Sequence, residues 1–190
     1  REYEESFVNG EEADRNFGFQ SIENITDTIE TGKGYFVYFN PGPSTVDVRG
    51  PFNRGDLFFP LSYTTSELGD GNDGWNLIAN PYPATIDWDN LAGKFGLNDA
   101  IYAFDPSTGQ YSSYVNGVSI GSLNSRISSG QAFWVQANQN TFLTGITFSE
   151  ASKITLDGIF MRSNDIETES LVRIQLQSNG RTDEVVFGLN

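Results

Sequence analysis

Residues Ile29–Asn40, IETGKGYFVYFN, can be laid without a gap over Ile127–Asn138, ISSGQAFWVQAN. Ile, Gly, Val and Asn coincide, and the pairs Tyr35/Phe133 and Phe36/Trp134 keep aromatic character. The shared order of turn glycine, small residue, two aromatics, valine and closing Asn marks an internal duplication. Each copy predicts a glycine turn feeding a buried strand, so the chain is expected to build itself by adding strands. If the copies are equivalent, the residues before Gly32 are the tail of a first unit whose opening strands would lie upstream of Arg1. The chain would then begin inside a unit, as a mature fragment of a longer protein does.

The rest of the pattern agrees with a β protein. Aromatics make up 14% of the chain, glycine occurs 20 times and Met once, a balance that favours strands and turns over helices. AIYAFDPSTGQYSSYV (residues 101 to 115 with the preceding Ala100) predicts a hairpin, with apolar alternation through Ile101, Tyr102 and Phe104, an Asp-Pro-Ser-Thr-Gly turn, and a return from Tyr111 to Val115. Further strand candidates are STVDVRG, DLFFPLSY, GWNLIA, TFLTGITF and KITLDGIFM, punctuated by Gly, Asn, Asp and Pro at sandwich-like spacing. One short helical turn is expected around DWDNLAGKFG, capped by Asp87 or Asp89 and ended by Gly93 or Gly96. Near the C-terminus, Val172, Ile174 and Leu176 alternate with Arg173, Gln175 and Gln177. Asn179-Gly180 then predicts a two-residue hairpin loop into DEVVFGL.

The expected architecture is all-β: a β-sandwich of jelly-roll or immunoglobulin-like character over residues 1–155, built from two related halves. A charged linker, 156–169, leads to a β hairpin over 170–190 that either caps the sandwich or starts a following β module.

Composition also excludes chemistry. Cysteine and histidine are both absent, which removes disulfides, thiol nucleophiles, Ser-His and Cys-His pairs and imidazole metal sites. The formal charge of −14 with no Lys/Arg cluster repels phosphate backbones and anionic lipid, so neither nucleic acid nor a membrane is an expected partner. No signal peptide or apolar run of membrane-spanning length is visible.

Gly74-Trp75-Asn76-Leu77-Ile78 reads as a core strand that Asn80-Pro81 must stop, since proline cannot donate to a ladder. Tyr82-Pro83 adds a second restraint and raises the expectation of a cis peptide. The run GWNLIANPYPATIDWDN, followed by AIYAFDPSTGQY and ISSGQAFWVQAN, resembles a module that recurs near the C-termini of large secreted Bacteroidetes proteins, many of them exported by the type IX secretion system. The resemblance is close over Gly74 to Ala137 and looser over Ile29 to Phe39. It implies an extracellular or cell-surface address and says nothing of a reaction. The type IX sorting domain itself is not recognisable, although LVRIQLQSNGRTDEVVFG is similar to the strand pair that follows the module. Asp27-Thr28-Ile29 resembles the acceptor for O-glycosylation in that lineage, which makes Thr28 a candidate attachment site; Asn24-Ile25-Thr26 fits the N-glycosylation pattern.

Trp75, Tyr82, Trp88 and Trp134 have two readings. They could form a stacking platform for sugar rings, with Asp87 and Asp89 taking the hydroxyls, or they could fill a β core, the commoner use of such rings. Trp134, in the repeated strand, is expected in the core; Tyr82 and Trp88, on the irregular connection, are the rings expected to be exposed if any are. Asp70, Asn72 and Asp73 could hold a calcium ion, but the EF-hand spacing fails because Gly74 stands at its fifth position, and a polar hairpin loop explains them as well. A glycosidase would need two carboxylates facing each other, and Asp87, Asp89, Asp99 and Asp105 are available. The sequence as a whole favours a non-catalytic accessory, spacer or adhesive module joined to neighbouring domains, without a cofactor. Alternatives are a carbohydrate-binding module for an extracellular glycan, a glycoside hydrolase fragment, and a cargo whose terminal hairpin is captured by the export machinery.

Overall fold

A computed structural model describes residues 1–7, 18–24, 26, 28–38, 50–65, 72–138, 142–158, 161, 170–178 and 181–189. Its regular structure is nearly all β, 39% strand against 7% helical, arranged in several antiparallel sheets of sandwich-like character. The contacts divide the chain into two units, one of Arg1–Val37 with Phe52–Arg162 and one of Tyr38–Pro51 with Ser163–Asn190. The strand candidate STVDVRG lies almost wholly outside the described residues.

In the first unit the strands are β1 (Glu2–Tyr3), β2 (Phe19–Gln20), β3 (Leu57–Pro60), β4 (Trp75–Ala79), β5 (Ile86–Asp87), β6 (Gly93–Phe95), β7 (Ala100–Asp105), β8 (Gln110–Val115), β9 (Val118–Ile120), β10 (Arg126–Ile127), β11 (Ala132–Gln136) and β12 (Gly145–Phe148). Five of them form a sheet in the order β4-β11-β7-β8-β9, and three form a second sheet in the order β3-β12-β6. The hairpin read from alternation is present: Ala100 pairs with Val115 and Asp105 with Gln110. Gly109, at φ 67°, supplies the left-handed step of its turn.

Period-two alternation gives the large sheet two different faces. Ile78, Ile101, Ala103, Tyr114, Phe133 and Val135 point to one side. There they meet Ile146 and Phe148 of the small sheet, together with Tyr82, Ile86, Trp88, Leu91, Leu123 and Ile127, in the main core. The opposite side carries Leu77, Trp134, Trp75 and Tyr102, packed with Tyr3, Phe19 and Phe36 of the N-terminal segment in a second, smaller cluster.

The copies match in their turns but not in their strands: Ala132–Gln136 form β11, whereas the first copy makes only isolated bridges at Lys33 and Tyr35 and leaves Val37 and Tyr38 exposed, so the buried strand expected there is absent among the described residues. Gly32 and Gly130 both turn with positive φ, 79° and 69°. The segments that follow flank the same partner: β11 pairs with β4 along its length, with Trp134 opposite Leu77. On the other edge of β4, Lys33 bridges Ile78, Gly34 N–H donates to the Leu77 carbonyl at 3.0 Å and Ala79 N–H donates to that of Gly32 at 2.8 Å. The corresponding aromatics Phe36 and Trp134 end up as neighbours, ring centroids 6.3 Å apart. The two copies therefore line one strand from both sides of a single sheet.

Three local expectations change. KITLDGIFM forms no strand among its described residues; Lys153 makes only an isolated bridge to Ile86, and Leu156 is exposed. The helical turn shrinks to a 3-10 turn, Trp88–Asn90, with Asp87 as its cap. It ends early because β6 recruits Gly93–Phe95 to the edge of β12. Among the described residues there is no cis peptide bond, so Tyr82-Pro83 is trans. In the second unit, β13 (Ser170–Ser178) pairs with β14 (Arg181–Leu189) in the expected register, Ser178 opposite Arg181, which leaves two residues for the loop.

Candidate functional site

The Asn80–Asn90 connection, whose rings were the ones expected to be exposed if any were, is an interior fastening. Asn80 is buried at the end of β4. Its amide nitrogen lies within hydrogen-bonding reach of the carbonyls of Ala84 (2.8 Å), Ile127 (3.0 Å) and Ser128 (3.1 Å), while its oxygen accepts from Tyr82 N–H at 3.0 Å. One side chain thus serves the backbone groups that Pro81 and Pro83 prevent from joining a ladder. Asn53 Nδ2 donates to the Pro81 carbonyl at 2.9 Å, and Ser129 Oγ to that of Tyr82 at 2.8 Å.

Tyr82 is 1% exposed, which corrects the expectation of a free ring. Its hydroxyl reaches the carbonyls of Gly55 (2.6 Å) and Phe148 (3.0 Å), and Lys153 Nζ sits 3.9 Å from the ring centroid. Burial, followed by the nearby carboxylates of Glu150 and Asp56, pushes the phenol up to about 12. Trp88 is 0% exposed and corrects the same expectation. Its ring packs edge to face on Phe133 with centroids 6.0 Å apart, and its Nε1 donates to Asp99 Oδ1 at 2.8 Å. Both rings fill the core because the connection folds back under the small sheet, where apolar area is removed from water and each polar tip meets a partner.

The candidate carboxylates are used the same way. Asp87 accepts from Asp89 N–H at 3.2 Å and from Asn90 Nδ2 at 3.1 Å, capping the 3-10 turn. Asp89 Oδ2 accepts the Tyr114 hydroxyl at 2.6 Å, the largest reason why the Tyr114 phenol is raised to about 12, with burial second. Asp99 binds Lys94 Nζ at 2.7 Å as well as Trp88, and the Lys94 hydrogen bond chiefly holds its carboxyl below the usual range. Asp105 accepts from Ser107 N–H (3.0 Å), Ser107 Oγ (2.6 Å) and Ser122 Oγ (3.0 Å), closing the β7–β8 turn; the Ser107 hydroxyl is the main cause of its lowered pKa.

Of the calcium candidates, Asp70 lies outside the described residues, Asn72 is partly exposed and Asp73 is buried. Among the described residues no group of three or more His, Cys, Asp or Glu side chains is placed to hold a metal ion. Thr28 is exposed, as an attachment site must be, while Asp27 before it is outside the described residues.

Sequence reasoning missed two features. Glu5 is buried at 3% exposure, where Oε1 accepts from Thr64 N–H (2.6 Å) and Gly74 N–H (3.1 Å) and Oε2 from Thr64 Oγ1 (2.8 Å). It ties the N-terminal segment to the start of β4, at a glycine where φ is 74° and a Cβ would run into the Ala137 carbonyl. The second is the set of amides Asn98, Gln136 and Asn138 on the outer sheet face. No local signal announces either, since the partners stand tens of residues apart. No helix among the described residues is long and apolar enough to cross a membrane.

Comparison of the chain with protein-family models, with curated proteins and with solved structures yields no match in any of the three.

Proposed function

We propose that this chain is a non-catalytic accessory or spacer module of a secreted or cell-surface protein, of the Bacteroidetes type IX export class whose GWNL and NPYP stretch it resembles. The observation that carries this reading is the inward use of the reactive inventory. Tyr82, Trp88, Asp87, Asp89, Asp99 and Asp105 each hold a turn or a neighbouring segment in place. A chain without disulfides gains cohesion from such side-chain-to-backbone ties, which suits a folded spacer outside the cell.

Two measurements test it. The 190-residue chain and an Asp87→Asn/Asp89→Asn variant are incubated with a polysaccharide panel and unfolded thermally. The expected result is no released reducing sugar from either and a lower Tm for the variant; turnover by the parent chain that the variant loses would overturn the non-catalytic reading. For the address, the chain is tagged within its parent protein in a type IX-competent bacterium. Export that stops when the translocon is inactivated supports the reading, and export that continues unchanged counts against it.

A further inference from the structure

Of the four rings weighed as a stacking surface, the fold buries Tyr82, Trp88 and Trp134 and leaves only Trp75 partly exposed. Trp75 lies on the sheet face away from the main core. There its ring meets that of Tyr102 edge to face, centroids 5.2 Å apart, although β11 runs between their strands. Gln136 of that strand is opposite Trp75 in the register. Beside the ring pair, Asn98 Nδ2 donates to Gln136 Oε1 at 2.9 Å, Asn138 Nδ2 donates to Asn98 Oδ1 at 3.2 Å, and Gln136 Nε2 donates to the Asp73 carbonyl at 3.0 Å. Asn98 and Asn138 are exposed. Each amide nitrogen carries two hydrogens, and these bonds take one from each asparagine, so the relay orients the amides and leaves a second N–H on both.

We infer that this end of the outer face binds a neutral saccharide. The C–H face of one sugar ring lies against Trp75 with Tyr102 as a side wall, and Asn98, Gln136 and Asn138 exchange hydrogen bonds with its hydroxyls. Three observations select that ligand class. The five side chains are uncharged, and the chain as a whole carries −14, which disfavours uronates, sialates and phosphates. Primary amides both donate and accept, as hydroxyls do, so they complement a polyol without burying an unpaired charge. The backbone edges of β11 and β7 are already taken, β11 by β4 and β7 and β7 by β11 and β8, and residues 32–34 take the outer edge of β4 at Leu77–Ala79. A peptide could not add itself as a strand to β11 or β7, and recognition beside them falls to side chains. Asp99, the nearest acidic neighbour in sequence, is engaged by Lys94 and Trp88.

The test is calorimetric titration of the whole chain with cellohexaose, xylohexaose, mannohexaose and laminarihexaose, and with hexagalacturonate as the charged control. It is repeated on Asn98→Ala/Asn138→Ala and on Trp75→Phe, each checked for an unchanged thermal midpoint. At least one neutral hexasaccharide is expected to bind, each variant to weaken it by about tenfold or more, and hexagalacturonate not to bind. Absence of binding by all four neutral probes, equal binding of hexagalacturonate, or unchanged affinity in either folded variant overturns the inference. Such a failure leaves the accessory-module reading standing, because that reading rests on hydrolysis and export.

Discussion

The two faces of the five-stranded sheet are made by the same strands and sealed in different ways. The inner face is closed by a second sheet and by the Asn80–Asn90 connection, and the polar tips of its rings are bonded: Tyr82 to the Gly55 and Phe148 carbonyls, Trp88 to Asp99, Tyr114 to Asp89. Among the described residues the outer face is covered by the short strands β1 and β2 and by residues 32–36, which bridge β4 at Ile78 and β1 at Glu2. Trp134 sits there among Tyr3, Phe19 and Phe36 with no hydrogen-bond partner for its Nε1. Tyr111, Val118 and Ile120, farther along the same face, are exposed. Regular strand pairing brings many backbone partners at once, so a polar tip has something to meet. A thin segment brings few, and a face sealed that way keeps loose ends and usable surface.

The contrast predicts where damage spreads. Trp88→Ala removes a fully buried ring and one of the two partners of Asp99, and should lower the unfolding free energy by about 3–5 kcal/mol, read from urea denaturation as one cooperative transition. Asn80→Ala removes the side chain that serves the Ala84 and Ile127 carbonyls and the Tyr82 N–H, and a loss of about 1–3 kcal/mol is expected, again global. Glu5→Ala leaves the Thr64 and Gly74 N–H groups unpaired, but its effect should be local. Faster hydrogen exchange at Phe36, whose N–H donates to the Arg1 carbonyl at 2.8 Å, and altered Trp134 emission should precede unfolding of the inner face. If Glu5→Ala instead lowers global stability as much as Trp88→Ala, the two faces are one cooperative unit and the contrast fails.

The pH dependence is narrower still. Tyr82 and Tyr114 have phenols raised to about 12 in the folded chain against an ordinary 10.0. Their contribution is therefore intact below pH 10 and lost as pH rises through 12. Ultraviolet titration should show Tyr82 and Tyr114, among the eight tyrosines, resisting ionisation until the chain unfolds, with Tyr35 also raised by burial. The smallest effect belongs to Asp99, whose carboxyl is lowered from 3.8 chiefly by Lys94. Its contribution is present above pH 3.8 and lost as pH falls through the lowered value. Asp99 is exposed, so Asp99→Asn should flatten the acid limb of the stability curve only slightly.

Much of the architecture was legible because it rests on contacts between close neighbours in sequence. The Gly109 turn, the Ala100–Val115 pairing, the β13–β14 register and the matched turns at Gly32 and Gly130 follow from glycine's access to positive φ and from alternation with period two. Asp87 as a cap was legible for the same reason, since its acceptors' partner is two residues away. KITLDGIFM shows the limit: it has strand composition, yet among its described residues it makes only a bridge from Lys153 to Ile86 and a bond from Ile154 N–H to the Thr85 carbonyl, and composition without a longer partner does not make a ladder.

By itself, then, the sequence determined the β class, the hairpins, the glycine turns at Gly32 and Gly130 and the absence of thiol and imidazole chemistry, all of which depend on residue identity or on separations of a few residues. The tertiary structure alone decided which aromatics were hidden. Tyr82 and Trp88 stand on a proline-broken connection with no alternation to mark an inner side, and they are buried because Gly55, Phe148, Asp99 and Phe133 are brought to them from elsewhere in the chain. Trp75 sits in an alternating strand that reads as core, and it stays partly open because the segment covering its face is thin. Burial is a property of what arrives from far along the chain, and no window of neighbouring residues contains that information.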